Sequence, residues 1–195
     1  QETFSGYLLK QGGTFLGTSN KGAPLDFSQD GKKIDQSNKI IEGYNQLGLD
    51  GLIIIGGDGS MQILQKLAKI GKLNIVAIPK TIDNDVGATD SSIGFDTAVQ
   101  VATQALDNLH STAVSHSRSM ILEVMGRDAG HIALSAGIAG GADVILIPEI
   151  KYTVNGIIKK LNEMKERNVK HSLIVVAEAV KKENGEKVIH KFKDG

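Results

Sequence analysis

Residues 52–85 contain two short apolar runs, and each run ends in a loop rich in Gly, Asp and Thr. The first run, 52–55, precedes GGDGS, and the second, 75–78, precedes PKTIDND. Continuous apolar runs of this length are typical of strands buried on both faces, as in parallel sheets. Loops at the carboxyl ends of neighbouring strands form the ligand site of open α/β sheets. We therefore expect these two loops to face one another at a ligand site.

Helical and strand-like patterns alternate along the chain after a loop-like segment at 1–30. This alternation predicts an α/β fold of two doubly wound domains with mainly parallel sheets and the active site in the cleft between them. We place the domain boundary near Gly94, where a polar loop gives way to a helical pattern. Helices are predicted at 35–47, 95–109, 132–139 and 154–167, and a further helix is predicted to begin at a Ser60 cap and end near residue 71. Strands are predicted at 52–55, 75–78, 120–125, 144–147 and 173–177.

The composition excludes several classes of function. The chain has 22 basic and 22 acidic residues, so no overall charge attracts nucleic acid or an anionic membrane. It has no cysteine, which excludes a disulfide framework and a thiolate nucleophile and agrees with a cytoplasmic location. The apolar runs are too short to span a bilayer. We expect a cytoplasmic protein with small-molecule partners and with neither nucleic acid nor membrane as a partner.

The GGDGS loop has the composition of a phosphate-binding turn. Gly57 and Gly59 let backbone N–H groups approach phosphate oxygens, and the helix expected after Ser60 adds a partial positive charge. A carboxylate beside a phosphate needs a divalent cation between them, so Asp58 is interpreted as a direct or water-mediated Mg²⁺ ligand. The alternative is an ordinary tight turn in which Asp58 caps the helix, because Gly-rich turns are common.

The PKTIDND loop adds two further carboxylates. Alternate residues of an extended loop face opposite ways, so Asp83 and Asp85 are expected to have different roles. One could accept a proton from an attacking hydroxyl while the other supports the cation, as phosphoryl transfer requires. The alternative is a solvated turn built on Asn84.

The MGR segment that follows the strand predicted at 120–125 suits a second substrate. Arg127 offers a planar fork for phosphate, Gly126 permits close backbone approach, and Met125 can line an apolar wall. Arg118, before the same strand, either binds phosphate or is a surface cation. Glu178 either accepts hydrogen bonds from sugar hydroxyls or pairs with a lysine.

From about Gly12 to Glu178 the chain resembles the 6-phosphofructokinases. The segments that carry this resemblance are, in order, GGTFLG, GGDGS, PKTIDND, IGFDTA, EVMGR, IAGGAD and PE. The resemblance implies transfer of the γ-phosphoryl group of Mg-ATP to the 1-hydroxyl of fructose 6-phosphate. It makes residues 1–94 the nucleotide-binding domain and 95–195 the sugar-phosphate-binding domain. GGDG alone also occurs in nucleotide and lipid kinases, which are a remote alternative. A regulatory subunit without turnover is another, although it would have no chemical need for Asp83.

The resemblance also implies individual roles. Asp83 matches the catalytic base, and Arg127 and Lys80 are the other catalytic candidates. Arg118 matches an arginine that reaches a neighbouring subunit's site, which implies a homotetramer or dimer. The ATP-binding candidates are Gly57, Asp58, Gly59, Ser60, Asn20 and Lys21. The substrate-binding candidates are Thr81, Ile82, Asp83, Arg118, Met125, Gly126, Arg127 and Glu178. The candidate metal ligands are Asp58 and Asp85.

The chain departs from the family pattern in several places. The family's opening strand is expected before Gln1 and its C-terminal substrate segment after Gly195, so we expect a part of a longer enzyme. Asn20 stands where many bacterial members have an arginine, and Lys21 or Lys80 is expected to supply that charge. His110 replaces an arginine of the effector site, so the resemblance to an allosteric enzyme does not by itself imply control by the usual bacterial effectors.

The phosphoryl donor is either ATP or pyrophosphate. Gly59 leaves room for the α-phosphate of ATP, whereas pyrophosphate users of the family have Asp there. Lys80 indicates the other donor, because pyrophosphate users of the family have Lys at this position and many ATP users have Gly. A carboxylate would repel the α-phosphate, whereas a lysine only adds attraction, so we expect ATP as the donor and keep pyrophosphate as the alternative.

Overall fold

The structure is a computed structural model, and it describes residues 11–14, 17, 23–181 and 185. Helices and strands alternate through most of this part of the chain, as the sequence predicts. In chain order the elements are a 3₁₀ turn at Pro24–Asp26, β1 Phe27–Gln29, β2 Lys32–Ile34, α1 Ser37–Gln46, β3 Leu52–Gly56, α2 Asp58–Gly71, β4 Ile75–Pro79, α3 Phe95–His116, β5 Ser119–Val124, α4 His131–Ala139, β6 Val144–Leu146, α5 Val154–Glu166 and β7 Ser172–Ala177.

The chain divides into two compact units. The first lies within residues 1–53 and 61–76, and it contains the β1–β2 hairpin, α1 and most of α2. The second lies within 54–60 and 77–195, and it contains the three-stranded sheet with α3, α4 and α5. The nucleotide-binding and sugar-phosphate-binding domains proposed on either side of Gly94 stay a prediction, because this division assigns no ligand to either unit.

The second unit is built on a parallel sheet of order β5-β7-β6. Met120 lies opposite Leu173 and Ile145 opposite Val175, and both pairings are parallel. The central strand β7 is buried along nearly its whole length, as expected of an apolar run in a parallel sheet. The α/β class with mainly parallel strands is therefore confirmed.

Helices α3 and α4 cover this sheet. Leu106 of α3 and Ala133 of α4 belong to one buried cluster with Leu173 and Val175 of β7. Helix α4 is rich in small residues, and a Cβ at Gly137 would lie 2.7 Å from Ile145 side-chain atoms. The prediction of a small-residue helix packed closely on a sheet is therefore confirmed. No described helix is both long and apolar enough to cross a membrane.

One prediction for residues 1–30 is wrong, because a hairpin begins within that segment. β1 and β2 pair antiparallel, with Gln29 opposite Lys32. The two turn residues, Asp30 and Gly31, have φ values of 51° and 74°. Two consecutive positive φ values match the twist of a two-residue hairpin, and Asp-Gly is a preferred sequence for it. The Asp-Gly pair in the sequence could therefore have predicted this hairpin.

The prediction that β3 is buried on both faces is also wrong. Ile53 is 73% exposed and Ile55 is 60% exposed, while the residues between them are partly covered. β3 pairs with β4 in a two-stranded sheet, and Val76 of β4 is likewise exposed. In the described part of the chain the second face of this sheet is open. Sequence hydrophobicity shows which residues favour burial, not whether a covering layer is present.

Candidate active site

The GGDGS and PKTIDND loops lie next to one another at the ends of β3 and β4. The backbone N–H of Lys80 donates a hydrogen bond to the carbonyl of Gly56 over 2.8 Å. A Cβ placed on Gly57 would lie 3.6 Å from the Cβ of Thr81. The described candidate residues all belong to the second unit. Asn20 and Lys21, two of the ATP-binding candidates, lie outside the described residues.

Helix α2 begins earlier than predicted. Its first residue is Asp58, so Ser60 lies within the first turn and is not the N-terminal cap. A Cβ at Gly56 would come within 2.8 Å of the Ser60 Cβ, so the tight turn requires glycine there. A Cβ at Gly59 would meet no atom within 4 Å. Packing therefore does not account for glycine at position 59.

Asp83 is a buried carboxyl with a fixed hydroxyl partner. It is only 8% exposed, and the Thr81 hydroxyl donates to its Oδ2 over 3.2 Å. The Asp83 amide in turn donates to the Thr81 oxygen, which holds the two side chains together. Burial raises the pKa of the Asp83 carboxyl above its ordinary value, and the nearby charge of Asp85 adds to this rise. A carboxyl with a raised pKa is suited to accept a proton.

Asp85 forms an ion pair with Arg127. The Arg127 guanidinium donates to Asp85 Oδ2 over 3.1 Å, and the carboxylate is mostly covered. The other oxygen, Oδ1, is buried and has no hydrogen-bond partner among the described residues. A buried carboxylate oxygen without a partner is costly, and a cation would satisfy it. Asp85 therefore fits the role of a magnesium ligand.

The described residues contain no cluster of three or more His, Cys, Asp or Glu side chains that could hold a metal ion. Mg²⁺ commonly binds through one or two carboxylates together with substrate phosphates. The predicted set of Asp58 and Asp85 matches that mode of binding. It does not match a metal site made by the protein alone.

Arg127 lies in a loop that Glu178 holds by its backbone. Glu178 Oε1 accepts hydrogen bonds from the amides of Gly126, over 2.9 Å, and Arg127, over 2.6 Å. Arg127 has a φ of 51°, a conformation that is uncommon for residues other than glycine. Neither alternative stated for Glu178, a sugar hydroxyl or a lysine, describes this contact. Its acceptor oxygen fixes the loop that presents the guanidinium.

The side chain of Ile82 has a structural role in the TIDND loop. It packs against the buried cluster of Ala102, Ile132 and Ala136 under helices α3 and α4. The partly buried side chain therefore anchors the loop to the core. Met125, by contrast, is 62% exposed at the end of β5.

Asn84 and Glu149 support these loops and are absent from the set of predicted site residues. Asn84 has a φ of 54°, and its Oδ1 accepts the Ser92 amide over 2.8 Å. The turn role considered for Asn84 thus describes that residue, while the adjacent Asp83 is buried and not solvated. Glu149 Oε1 accepts the amide of Gly130 over 2.8 Å. Asn84 had a sequence signal, because Asn tolerates positive φ. Glu149 belongs to the PE motif, but nothing in the sequence showed that it accepts the Gly130 amide.

Arg118 lies away from the other candidates. It immediately precedes β5, whereas Met125, Gly126 and Arg127 follow the other end of that strand. At about 3.3 Å per residue, the strand separates Arg118 from Arg127 by roughly 20 Å. The structure therefore does not bring Arg118 together with the other substrate-binding candidates of the same chain.

The fold and these loops define an α/β protein with a glycine-rich loop and carboxylates at the carboxyl ends of its strands. A family model described as phosphofructokinase matches residues 1–195. The chain is 62% identical over 180 residues to "ATP-dependent 6-phosphofructokinase 1" of Nostoc sp., covering 92% of this chain and 50% of the relative. The chain belongs to the phosphofructokinase family, and it spans about half the length of the curated relatives it matches.

Solved structures agree with this assignment. The phosphofructokinase of Saccharomyces cerevisiae matches with a TM-score of 0.70 and 30% identity, over 91% of this chain and 26% of that chain. A pyrophosphate-dependent phosphofructokinase of Nitrosospira multiformis matches with a TM-score of 0.70 and 26% identity, over 77% of this chain and 42% of that chain. A pyrophosphate-dependent enzyme is thus among the similar structures.

Proposed function

We propose that the protein transfers the γ-phosphoryl group of Mg-ATP to the 1-hydroxyl of fructose 6-phosphate and so forms fructose 1,6-bisphosphate in glycolysis. The observation that carries this proposal is the buried Asp83 carboxyl, with its raised pKa, on a loop that lies against the GGDGS turn. A relative that is 62% identical is named as an ATP-dependent 6-phosphofructokinase, which gives the substrate class.

Asp83 acts as the base in this reaction. It accepts the proton of the sugar 1-hydroxyl as that oxygen bonds to the γ-phosphorus and the bond to the bridging oxygen of ADP breaks. Thr81 holds the carboxylate in one orientation through its hydroxyl. Orientation matters because the base must lie within hydrogen-bond reach of the attacking hydroxyl.

Arg127, Asp58 and Asp85 act on the phosphate charge. Mg²⁺, when bound, neutralises the donor phosphates, and Asp58 and Asp85 are the residues that would hold it. The Arg127 guanidinium, which lies against Asp85, is the group that contacts the transferred phosphoryl group in this proposal. Lys80 adds positive charge at the end of β4.

The donor is ATP. Supporting this, residue 59 is glycine and places no carboxylate where it would repel the α-phosphate. Pyrophosphate is the second candidate, since Lys80 is of the pyrophosphate type and a pyrophosphate-dependent enzyme is among the structural matches. With pyrophosphate the reaction would run readily in both directions.

The domain and assembly roles are part of the same proposal. Residues 1–94 carry the nucleotide side and 95–195 the sugar-phosphate side. The separation of Arg118 from the other candidates supports a homotetramer or dimer in which Arg118 serves a neighbouring subunit's site. We also propose a cytoplasmic location and, with His110 at the effector position, allosteric control that differs from the usual bacterial form.

Ligand-induced protection against thermal unfolding tests the substrate class. Fructose 6-phosphate is expected to raise the melting temperature of the full-length protein, because a ligand that binds only the folded state stabilises it. NAD is the control ligand, since a nucleotide kinase with a GGDG turn would bind it. Protection by NAD and not by fructose 6-phosphate would overturn the proposal.

A further inference from the structure

The loop at residues 126–130, between β5 and α4, is fixed at both ends by carboxylates from the other strands of the sheet. Glu178, which follows β7, accepts the amides at its start. Glu149, which follows β6, accepts the Gly130 amide at its end over 2.8 Å. Two strand ends of one sheet therefore hold the single loop that carries Arg127.

The contact of Glu149 is made at a position with no spare room. Gly130 is buried, and a Cβ there would come within 2.4 Å of the Ile147 Cβ. The amide of Gly130 is thus enclosed, and removal of its acceptor would leave a covered donor without a partner. Helix α4 begins at the next residue, so the carboxylate also lies near the positive end of the helix dipole.

The fixed ends matter because the middle of the loop is in a disfavoured conformation. Arg127 has a φ of 51°, and the loop closes with a hydrogen bond from the Ala129 amide to the Gly126 carbonyl over 3.0 Å. A positive φ at an arginine persists only where the surrounding structure holds it. If one end is released, the loop can relax and the guanidinium moves away from Asp85.

We propose that Glu149 is a positioning residue for phosphoryl transfer, acting through the backbone of the loop on the Arg127 guanidinium. This rests on the proposed function, in which Arg127 contacts the transferred group. Glu149 itself touches no substrate. Among the described residues, the groups that favour a carboxylate at this position are the amide of Gly130 and the start of α4.

A double-mutant cycle in the full-length protein tests this role. Glu149→Ala is expected to lower kcat/KM for fructose 6-phosphate by about tenfold, the cost of one lost hydrogen bond to a charged acceptor. In an Arg127→Ala background the same change is expected to have less than about a twofold effect, because residues that act together are not additive. Glu149→Gln keeps an acceptor oxygen and is expected to restore most of the activity. Glu166→Ala, at an exposed carboxylate on α5, is the matched control.

Equal losses from Glu149→Ala in both backgrounds, or no loss at all, would overturn the proposal. If the wild-type protein does not phosphorylate fructose 6-phosphate, the proposed function fails and hydrogen exchange decides the positioning role. Glu149→Ala should then speed amide exchange across 126–130 by at least about tenfold, and Glu166→Ala should not. Unchanged exchange in that segment would overturn the role independently of any activity.

Discussion

At the residue scale, Asp83 lies in an environment unlike that of an ordinary surface carboxyl, because it is buried. Burial raises its pKa, and the Thr81 hydroxyl only partly offsets that rise. The charged form is therefore less stable in the folded protein than in water. This cost is consistent with the proposed role of the carboxylate, which is to take up a proton during turnover.

Asp83→Asn removes the base and keeps the shape of the side chain. We expect kcat with ATP and fructose 6-phosphate to fall by about 10²–10⁴-fold, the usual contribution of general base catalysis, with little change in KM. Steady-state kinetics of the full-length protein measure this. Asp107→Asn, at an exposed position on α3, is the control. Wild-type turnover in Asp83→Asn would remove Asp83 from the role of base.

The same variant should stabilise the folded protein. Because the pKa of Asp83 is higher in the folded state than in the unfolded state, the folded protein binds more protons between those two values. Stability contributed by Asp83 is therefore lost as the pH rises through that window, and the cost of the buried charge remains at neutral pH. We expect Asp83→Asn to raise the melting temperature at pH 7 and to have less effect near pH 3. A lower melting temperature at pH 7 would contradict this sign.

At the element scale, the strands and helices around the site were predictable and their surroundings were not. Apolar runs followed by Gly and Asp located β3, β4 and β5 to within a residue or two. Helix α3 continues to His116, beyond the predicted end at 109, because Ala113 extends its buried face. The open face of β3 and β4 could not be predicted, since burial depends on layers that a run of hydrophobic residues does not specify.

In the candidate site, too, some features could be predicted from the sequence and others could not. Spacing within TIDND separated Asp83 from Asp85, and the structure gives the two carboxylates different partners. The sequence could not show that Glu178 caps backbone amides or that Ile82 faces the core. Both facts depend on which strand ends lie together in space.

The approach of α4 to the end of β6 gives a test of packing. Gly130→Ala would place a Cβ within 2.5 Å of two Ile147 atoms beside the backbone, so we expect about 1–3 kcal/mol of destabilisation. Gly43→Ala, in α1, meets nothing within 4 Å, and there alanine should stabilise by about 0.5–1 kcal/mol. Denaturant unfolding of both variants gives the two values. Equal and small effects would show that the close approach at Gly130 is absent.

At the scale of the whole molecule, Arg118 is the residue that we propose serves the site of a neighbouring chain. It precedes β5, at the opposite end of the strand from Arg127. If Arg118 serves a neighbouring subunit, an oligomer made only of Arg118→Ala chains or only of Asp83→Asn chains is defective at every site. A mixed oligomer of the two variants contains some sites in which both residues are native. We expect co-expression of the two variants in the full-length protein to recover a measurable fraction of wild-type kcat/KM. Complete absence of recovery in proven mixed oligomers would place Arg118 outside the neighbouring site.

The most direct test of phosphoryl transfer by this protein is steady-state turnover of fructose 6-phosphate by the full-length form, with Mg²⁺ and either ATP or pyrophosphate. We expect turnover with ATP and none with pyrophosphate, because glycine at position 59 presents no carboxylate that would repel the α-phosphate of ATP. Turnover with pyrophosphate alone would show that Lys80 sets the donor. Turnover with neither donor would contradict the assignment of fructose 6-phosphate as the acceptor.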